Sequence, residues 1–208
     1  MIIKYCEQRS DEWHEERQGK ITGTALKALT GTQKARDTLF YEILAERLSI
    51  EANSTEKPLD RGIRLEDEAI TQFEIKTGKI VEKVGICYRK DNERIANSPD
   101  GLISKNGKYT EAPEVKCPDS KNHLKIWLEN KVPEEYIPQT RQYFIVNDEL
   151  ETLYFISYDP RITIHPLHII EIHRIDIAEE IEDLKQRQID FLDEVNKKVE
   201  ELLNFNEI

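Results

Sequence analysis

The chain has 208 residues, 38% hydrophobic and 34% charged, enough for one domain with a sizeable core. The net charge of −11 argues against a surface that coats DNA, yet 11 acids and 4 bases fall between Asp176 and Ile208, leaving 30 acids and 26 bases elsewhere and room for a local basic groove. No apolar run is long enough to span a membrane, the N-terminal stretch does not read as a signal peptide, and three scattered cysteines (Cys6, Cys87, Cys117) fit a reducing compartment and argue against a disulfide framework or a cysteine metal site.

No internal repeat, low-complexity tract or linker-like stretch divides the chain, so residues 1–208 read as a single domain. "QRSDEWHEERQG" predicts a short helix with Ser10 as N-cap, acids in its first turn and Gly19 as its stop. "KITGTALKALTG" predicts a turn into a second short helix ended by Gly31. "RDTLFYEILAERLS" spaces Leu39, Ile43, Leu44 and Leu48 as one helical face. A polar loop follows, then a helix over "LDRGIRLEDEAITQFEIKTG" with Gly78 after it. "IVEKVGICYRK" and "RIANSPDGLIS" are rich in β-branched residues and predict strands. Asn106-Gly107 signals a hairpin turn, and "APEVKCP" reads as a short strand bounded by prolines. "SKNHLKIWLEN" and "PEEYIPQTRQYFIVN" predict helices, with Pro138 limiting where the second starts. "TLYFISYD" and "LHIIEIHRI" predict two more strands, and Ile177 to about Leu203 one long amphipathic helix. The order predicts an α/β fold with a central mixed β-sheet flanked by helices.

Within "NSPDGLISKNGKYTEAPEVKCP", Glu114 and Lys116 lie two apart on a strand and so project to one face, and Asp100 ends the neighbouring strand at a proline-glycine break. Carboxylates brought together repel each other unless a cation joins them. A hard divalent ion with oxygen ligands is the natural partner, and a lysine beside it can position water and offset developing charge. A polar, solvated hairpin would carry the same residues, so spacing alone leaves both readings open. His165, His168 and His173 form a loose cluster that matches no common zinc spacing.

Pro99-Asp100 followed by Glu114-Val115-Lys116 matches the PD-(D/E)-x-K nuclease motif, and "SPDGL…EVKCP" resembles the phage lambda exonuclease family of viral recombination nucleases. "WHEERQGKITGT", "GIRLEDEA", "YIPQTRQY" and "YFISYDPR" resemble further segments of that family in order, from residue 13 to 161. The stretch between Val146 and Thr152 departs from the family pattern by a small insertion, and the C-terminal helix matches mainly in character.

The resemblance implies a PD-(D/E)-x-K nuclease fold in which Asp100 and Glu114 are metal ligands, with the Val115 carbonyl beside them and Glu66 completing the shell at a second ion. It implies that Lys116 positions or activates water and that Gln139 orients it, with Tyr143 fitting a related Q-x-x-x-Y spacing. Arg17, Thr24 and Ser98 would hold a 5′-terminal phosphate, and Leu59 would be a wedge between base pairs or else a core leucine.

The activity implied is a Mg²⁺-dependent 5′→3′ exonuclease on double-stranded DNA, with two ions per site and Mn²⁺ able to substitute. It would release mononucleotides and leave a 3′ strand for annealing recombination. The resemblance further implies a homotrimeric ring, a single-strand annealing protein as partner, and action in the cytoplasm of a bacterial host from a phage or prophage gene. The rival readings are a structure-specific or restriction-type endonuclease and a DNA-end-binding adaptor without catalysis. An iron–sulfur nuclease is disfavoured, because three cysteines cannot supply four thiolates.

Overall fold

The computed structural model describes residues 1–48 and 60–204. β1 (Ile2–Lys4) is followed by α1 (Asp11–Arg17), where Ser10 caps the helix by accepting from the Trp13 N–H and Gly19 follows at φ +65°. Next come α2 (Gly23–Leu29), α3 (Gln33–Leu48) and α4 (Asp60–Thr77), which Gly78 ends at φ +70°. β2 (Ile86–Tyr88), β3 (Ala96–Asn97), β4 (Ile103–Lys105) and β5 (Lys108–Lys116) lead to α5 (Ser120–Glu129). A 3₁₀ turn (Glu134–Tyr136) opens α6 (Ile137–Val146), with Pro138 in the first turn, where no N–H is needed. β6 (Thr152–Tyr158), β7 (Leu167–His173) and the long α7 (Ala178–Asn204) complete the chain order.

The expected mixed sheet is present as four strands in the order β4-β5-β6-β7, with β5 and β6 parallel and the other pairs antiparallel. It is accompanied by a smaller antiparallel sheet, β1-β2-β3, which the sequence reading had not separated. The division arises because "RIANSPDGLIS" is two strands rather than one: the chain leaves β3 at Asn97, bends through Ser98–Asp100 and joins the other sheet at Ile103. Asn106 and Gly107 both adopt positive φ, as a tight hairpin turn between β4 and β5 requires.

The strand expected between the prolines is longer than predicted and runs through Pro113. β4 pairs with β5 only from Lys108 to Glu111, so beyond that point one edge of β5 is open and a residue without an N–H is tolerated. Leu65, Ala69, Ile70 and Phe73 of α4 cover one face of the four-stranded sheet, packed with Val115, Tyr154, Ile156 and Tyr158. On the other face Ala112 and Leu153 meet Phe144 and Ile145 of α6, backed by Ile181, Leu184, Phe191 and Val195 of α7. Alternation along β5 therefore turns Val115 toward α4 and Glu114 and Lys116 toward α6. No helix among the described residues is long and apolar enough to cross a membrane.

Candidate active site

The open edge of β5 is where Asp100 arrives. Its Oδ2 accepts from the Val115 N–H at 2.7 Å, so the carboxylate takes the place of the missing strand partner. A residue's N–H and C=O lie on the same edge of an extended strand, which turns the Val115 carbonyl to this edge as well. On the α6 side, Glu114 is fully buried and accepts from the Tyr143 hydroxyl at 2.7 Å and from the Lys116 ammonium. The same Tyr143 hydroxyl accepts from the Asp100 N–H at 3.0 Å. One phenol thus ties together the two acids that the motif places 14 residues apart.

The charges act on one another. Burial, then the neighbouring charges of Glu114 and Glu66, pushes the Asp100 carboxyl well above the usual carboxylate range; Lys116 and the Val115 N–H only partly offset this. For Lys116, burial would lower the ammonium, but the charges of Glu114 and Asp100 outweigh it and hold the group above its ordinary value. Burial, reinforced by Glu114 and Asp100, pushes the Tyr143 phenol well up, so it remains a hydrogen-bond donor. The Lys116 ammonium also lies 5.3 Å from the centre of the Tyr136 ring, a cation–π distance.

Glu66, on α4, accepts from Arg9 at 2.7 Å and lines a cleft of about 480 Å³ shared with Asp100, Gln8, Arg9 and Gly85. Gln139 lies one helical turn before Tyr143, with its side chain against Gly23 at the start of α2; no hydrogen bond from it to the carboxylates is found among the described residues. Arg17 donates to Ser98 Oγ at 2.5 Å and to Thr22 Oγ1 at 3.2 Å, and its guanidinium lies 4.3 Å from the centre of the Trp13 ring. Thr24 is exposed in the first turn of α2, and Thr22, the residue before that helix, is the threonine whose hydroxyl accepts from Arg17. Leu59 lies outside the described residues.

The structure thus brings Asp100, Glu114, Val115 and Lys116 into one cluster, sets Glu66 across the cleft, and pairs Arg17 with Ser98. Sequence reasoning missed Arg9, Thr22 and the contacts of Trp13 and Tyr136. Only Trp13 left a usable signal, since it stands four residues before Arg17 on one helix, the spacing that brings side chains together. His165 and His168 gather around Trp127 with His123 beneath, hydrogen-bonded to Ser157 at 2.8 Å, an arrangement of packing rather than of metal ligands.

Among the described residues no three His, Cys, Asp or Glu side chains are preassembled around a cation position. The donors at the β5 edge nevertheless fit a hard divalent ion. They are oxygens only, and Asp100 is driven toward protonation by burial and then by the charges of Glu114 and Glu66, a repulsion that a bound cation would offset.

The mixed sheet, the helices on both of its faces and the acid-bearing open edge of β5 define a PD-(D/E)-x-K nuclease fold. The chain belongs to the family of YqaJ-like viral recombinase domains, whose model matches residues 12–149. It is similar to the alkaline exonuclease LHK-Exo of Laribacter hongkongensis, with 26% identity and a TM-score of 0.83 over 94% of this chain and 97% of that one. The structure of LHK-Exo in complex with dAMP superposes with a TM-score of 0.81 at 27% identity, over 93% and 96% of the two chains. A phage-related exonuclease from Haemophilus somnus 129PT shares the fold, with a TM-score of 0.54 at 15% identity over 86% and 96% of the two chains. The uncharacterized protein YqaJ of Bacillus subtilis (strain 168) is 28% identical over 159 residues, 74% of this chain; the chain spans about half, 48%, of that relative's length.

Proposed function

We propose that the chain is a Mg²⁺-dependent 5′→3′ exonuclease acting on double-stranded DNA, organised as one nuclease domain with a long C-terminal helix. The observation that carries this reading is the turn from Ser98 to Asp100. Its first residue is held by Arg17, a cation suited to a terminal phosphate, and its last is the carboxylate at the open edge of β5. A phosphate-binding group and an acid cluster two residues apart suit hydrolysis close to a DNA end. The likeness to an alkaline exonuclease supports exonucleolytic cutting, and the dAMP held by LHK-Exo supports mononucleotides as the product.

In this reading Asp100, Glu114 and the Val115 carbonyl hold one divalent ion, and Glu66 serves a second. Mn²⁺ has similar ligand preferences and substitutes. When bound, such an ion makes its water more acidic and neutralises charge on the phosphoryl oxygens. Lys116, paired with Glu114 beside these ligands, positions or activates the attacking water and offsets developing charge. Tyr143 keeps Glu114 and the Asp100 backbone in register. Gln139 orients the water, Arg17, Ser98 and Thr24 bind the 5′ phosphate, and Leu59 wedges the terminal pair. The enzyme works as a homotrimeric ring in the cytoplasm of a bacterial host and passes its 3′ strand to a single-strand annealing protein.

The test is incubation of 5′-phosphorylated linear duplex with and without Mg²⁺, beside a closed circular control. Mononucleotides from the linear DNA alone, and only with Mg²⁺, are expected. Cutting of the circle would point to an endonuclease, and inertness on both with Mg²⁺ or Mn²⁺ to an adaptor.

A further inference from the structure

The turn before α1 breaks a local rule. The Ser10 N–H donates to the Glu7 carbonyl at 3.2 Å, closing a four-residue turn whose third residue, Arg9, has φ +71°. That position favours glycine or asparagine, because a larger side chain strains a left-handed backbone. The other non-glycine residues with positive φ among those described are Asn106 and Asn130, the type that tolerates it. An arginine kept where it is strained points to a use for its side chain.

The use is visible in the surroundings. Gln8 ties the turn to the loop of Asp100, donating to the Pro99 carbonyl at 2.6 Å and to the Val84 carbonyl at 3.3 Å. Arg9 lies in the cleft walled by Glu66, Asp67 and Asp100, a space of about 480 Å³. Lys83, the other basic residue in that wall, is paired with Asp67. One terminal nitrogen of Arg9 donates to Glu66 at 2.7 Å, and its remaining N–H donors have no partner among the described residues. A guanidinium has five donors in a flat fork, enough to hold a carboxylate on one edge and a phosphate on the other. A polyanion entering an acidic cleft needs such a counter-charge beside the acids.

We propose that Arg9 is a further substrate-contacting residue, its guanidinium bridging Glu66 and a backbone phosphate of the DNA strand that enters the cleft. The assignment rests on the nuclease reading and extends it. Arg9 and Arg17 then grip the strand on either side of the turn from Ser98 to Asp100.

The test is a salt series of binding to a 5′-phosphorylated duplex by fluorescence anisotropy, with Ca²⁺ as the divalent ion and probe integrity checked on a gel. Arg9→Gly and Arg9→Asn both accept positive φ, so the fold is kept in at least one of them. Each is expected to make the slope of log affinity against log salt shallower by about 0.9, the share of one phosphate contact. Arg9→Lys keeps the charge and is expected to hold the wild-type slope. A residue that only braces Glu66 would leave the slope where it was, so wild-type slopes in the Gly and Asn variants overturn the inference while the nuclease reading stands. A wild-type protein that does not bind the duplex at all would overturn the nuclease reading, and this inference with it.

Discussion

Glu114 is fully buried, and its two oxygens are met by different partners, Tyr143 on one and Lys116 on the other. A buried ion pair of this kind adds little net stability, because desolvation cancels most of the attraction, but removing one partner strands the other. Lys116→Ala therefore tests two things at once. Hydrolysis of linear duplex is expected to fall by about 10²–10⁴-fold, the usual worth of a positioned group acting on the attacking water. Binding to 5′-phosphorylated ends is expected to persist, because Arg17 and Ser98 hold each other while Lys116 is paired with Glu114. Melting with and without Mg²⁺ separates a chemical loss from a folding one, since the cation should restore the counter-charge that the substitution removes. Digestion at the wild-type rate by a folded Lys116→Ala protein would remove Lys116 from the mechanism. At this scale Asp100, Glu114 and Lys116 were legible because their spacing is local. Arg9 was not, because its partner Glu66 stands 57 residues away, and Tyr143 was legible only as a spacing, its partner lying 29 residues away.

The small sheet does for the site what the large one cannot. β1 pairs with β2 from Ile2 to Lys4, and the chain just beyond it carries Cys6, Gln8 and Arg9 past Gly85 and onto the loop of Asp100. A Cβ added at Gly85 would lie 2.5 Å from the Cys6 carbonyl oxygen and 2.7 Å from the Cys6 nitrogen. Those are backbone atoms, so the strand end must shift. Gly85→Ala is expected to cost about 1–3 kcal/mol, the usual price of overpacking, and so to lower Tm by about 2–4 °C for each kcal/mol in a chain of this size. Because the displaced segment carries Arg9, DNA binding should weaken as well; a Tm and an affinity both equal to wild type in calorimetry and anisotropy would contradict this packing. The helices were readable in the sequence because each carries its own signals, such as Ser10 as a cap and the apolar stripe of α7 from Ile181 to Val195. The three-residue β1 was not anticipated and the short β3 and β4 were read as one strand, because so short a run has no period of its own and becomes a strand only through its partner.

Over the whole molecule, charge and substrate are at odds, and assembly offers a resolution. In the proposed function, DNA is held by a chain whose net charge is −11. α7 concentrates acids on its exposed side while its apolar stripe packs against α6 and α3. In a closed ring, such a face turned outward would repel stray DNA while the channel holds the substrate topologically, and grip no longer depends on net attraction. The surface leaves apolar groups for such contacts: Leu128, Ile164 and Ile175 are all at least 74% exposed, and α5 and the segment carrying Ile164 are joined through the stacking of Trp127 on His165. Sedimentation analysis is therefore expected to give about three times the chain mass of 24.4 kDa. Digestion begun on one DNA is expected to continue when excess unlabelled linear duplex is added, because an enclosed substrate cannot exchange. A 24.4 kDa species at every concentration, together with immediate loss of digestion to the competitor, would remove the ring and leave an enzyme that must hold each strand by the contacts of a single cleft.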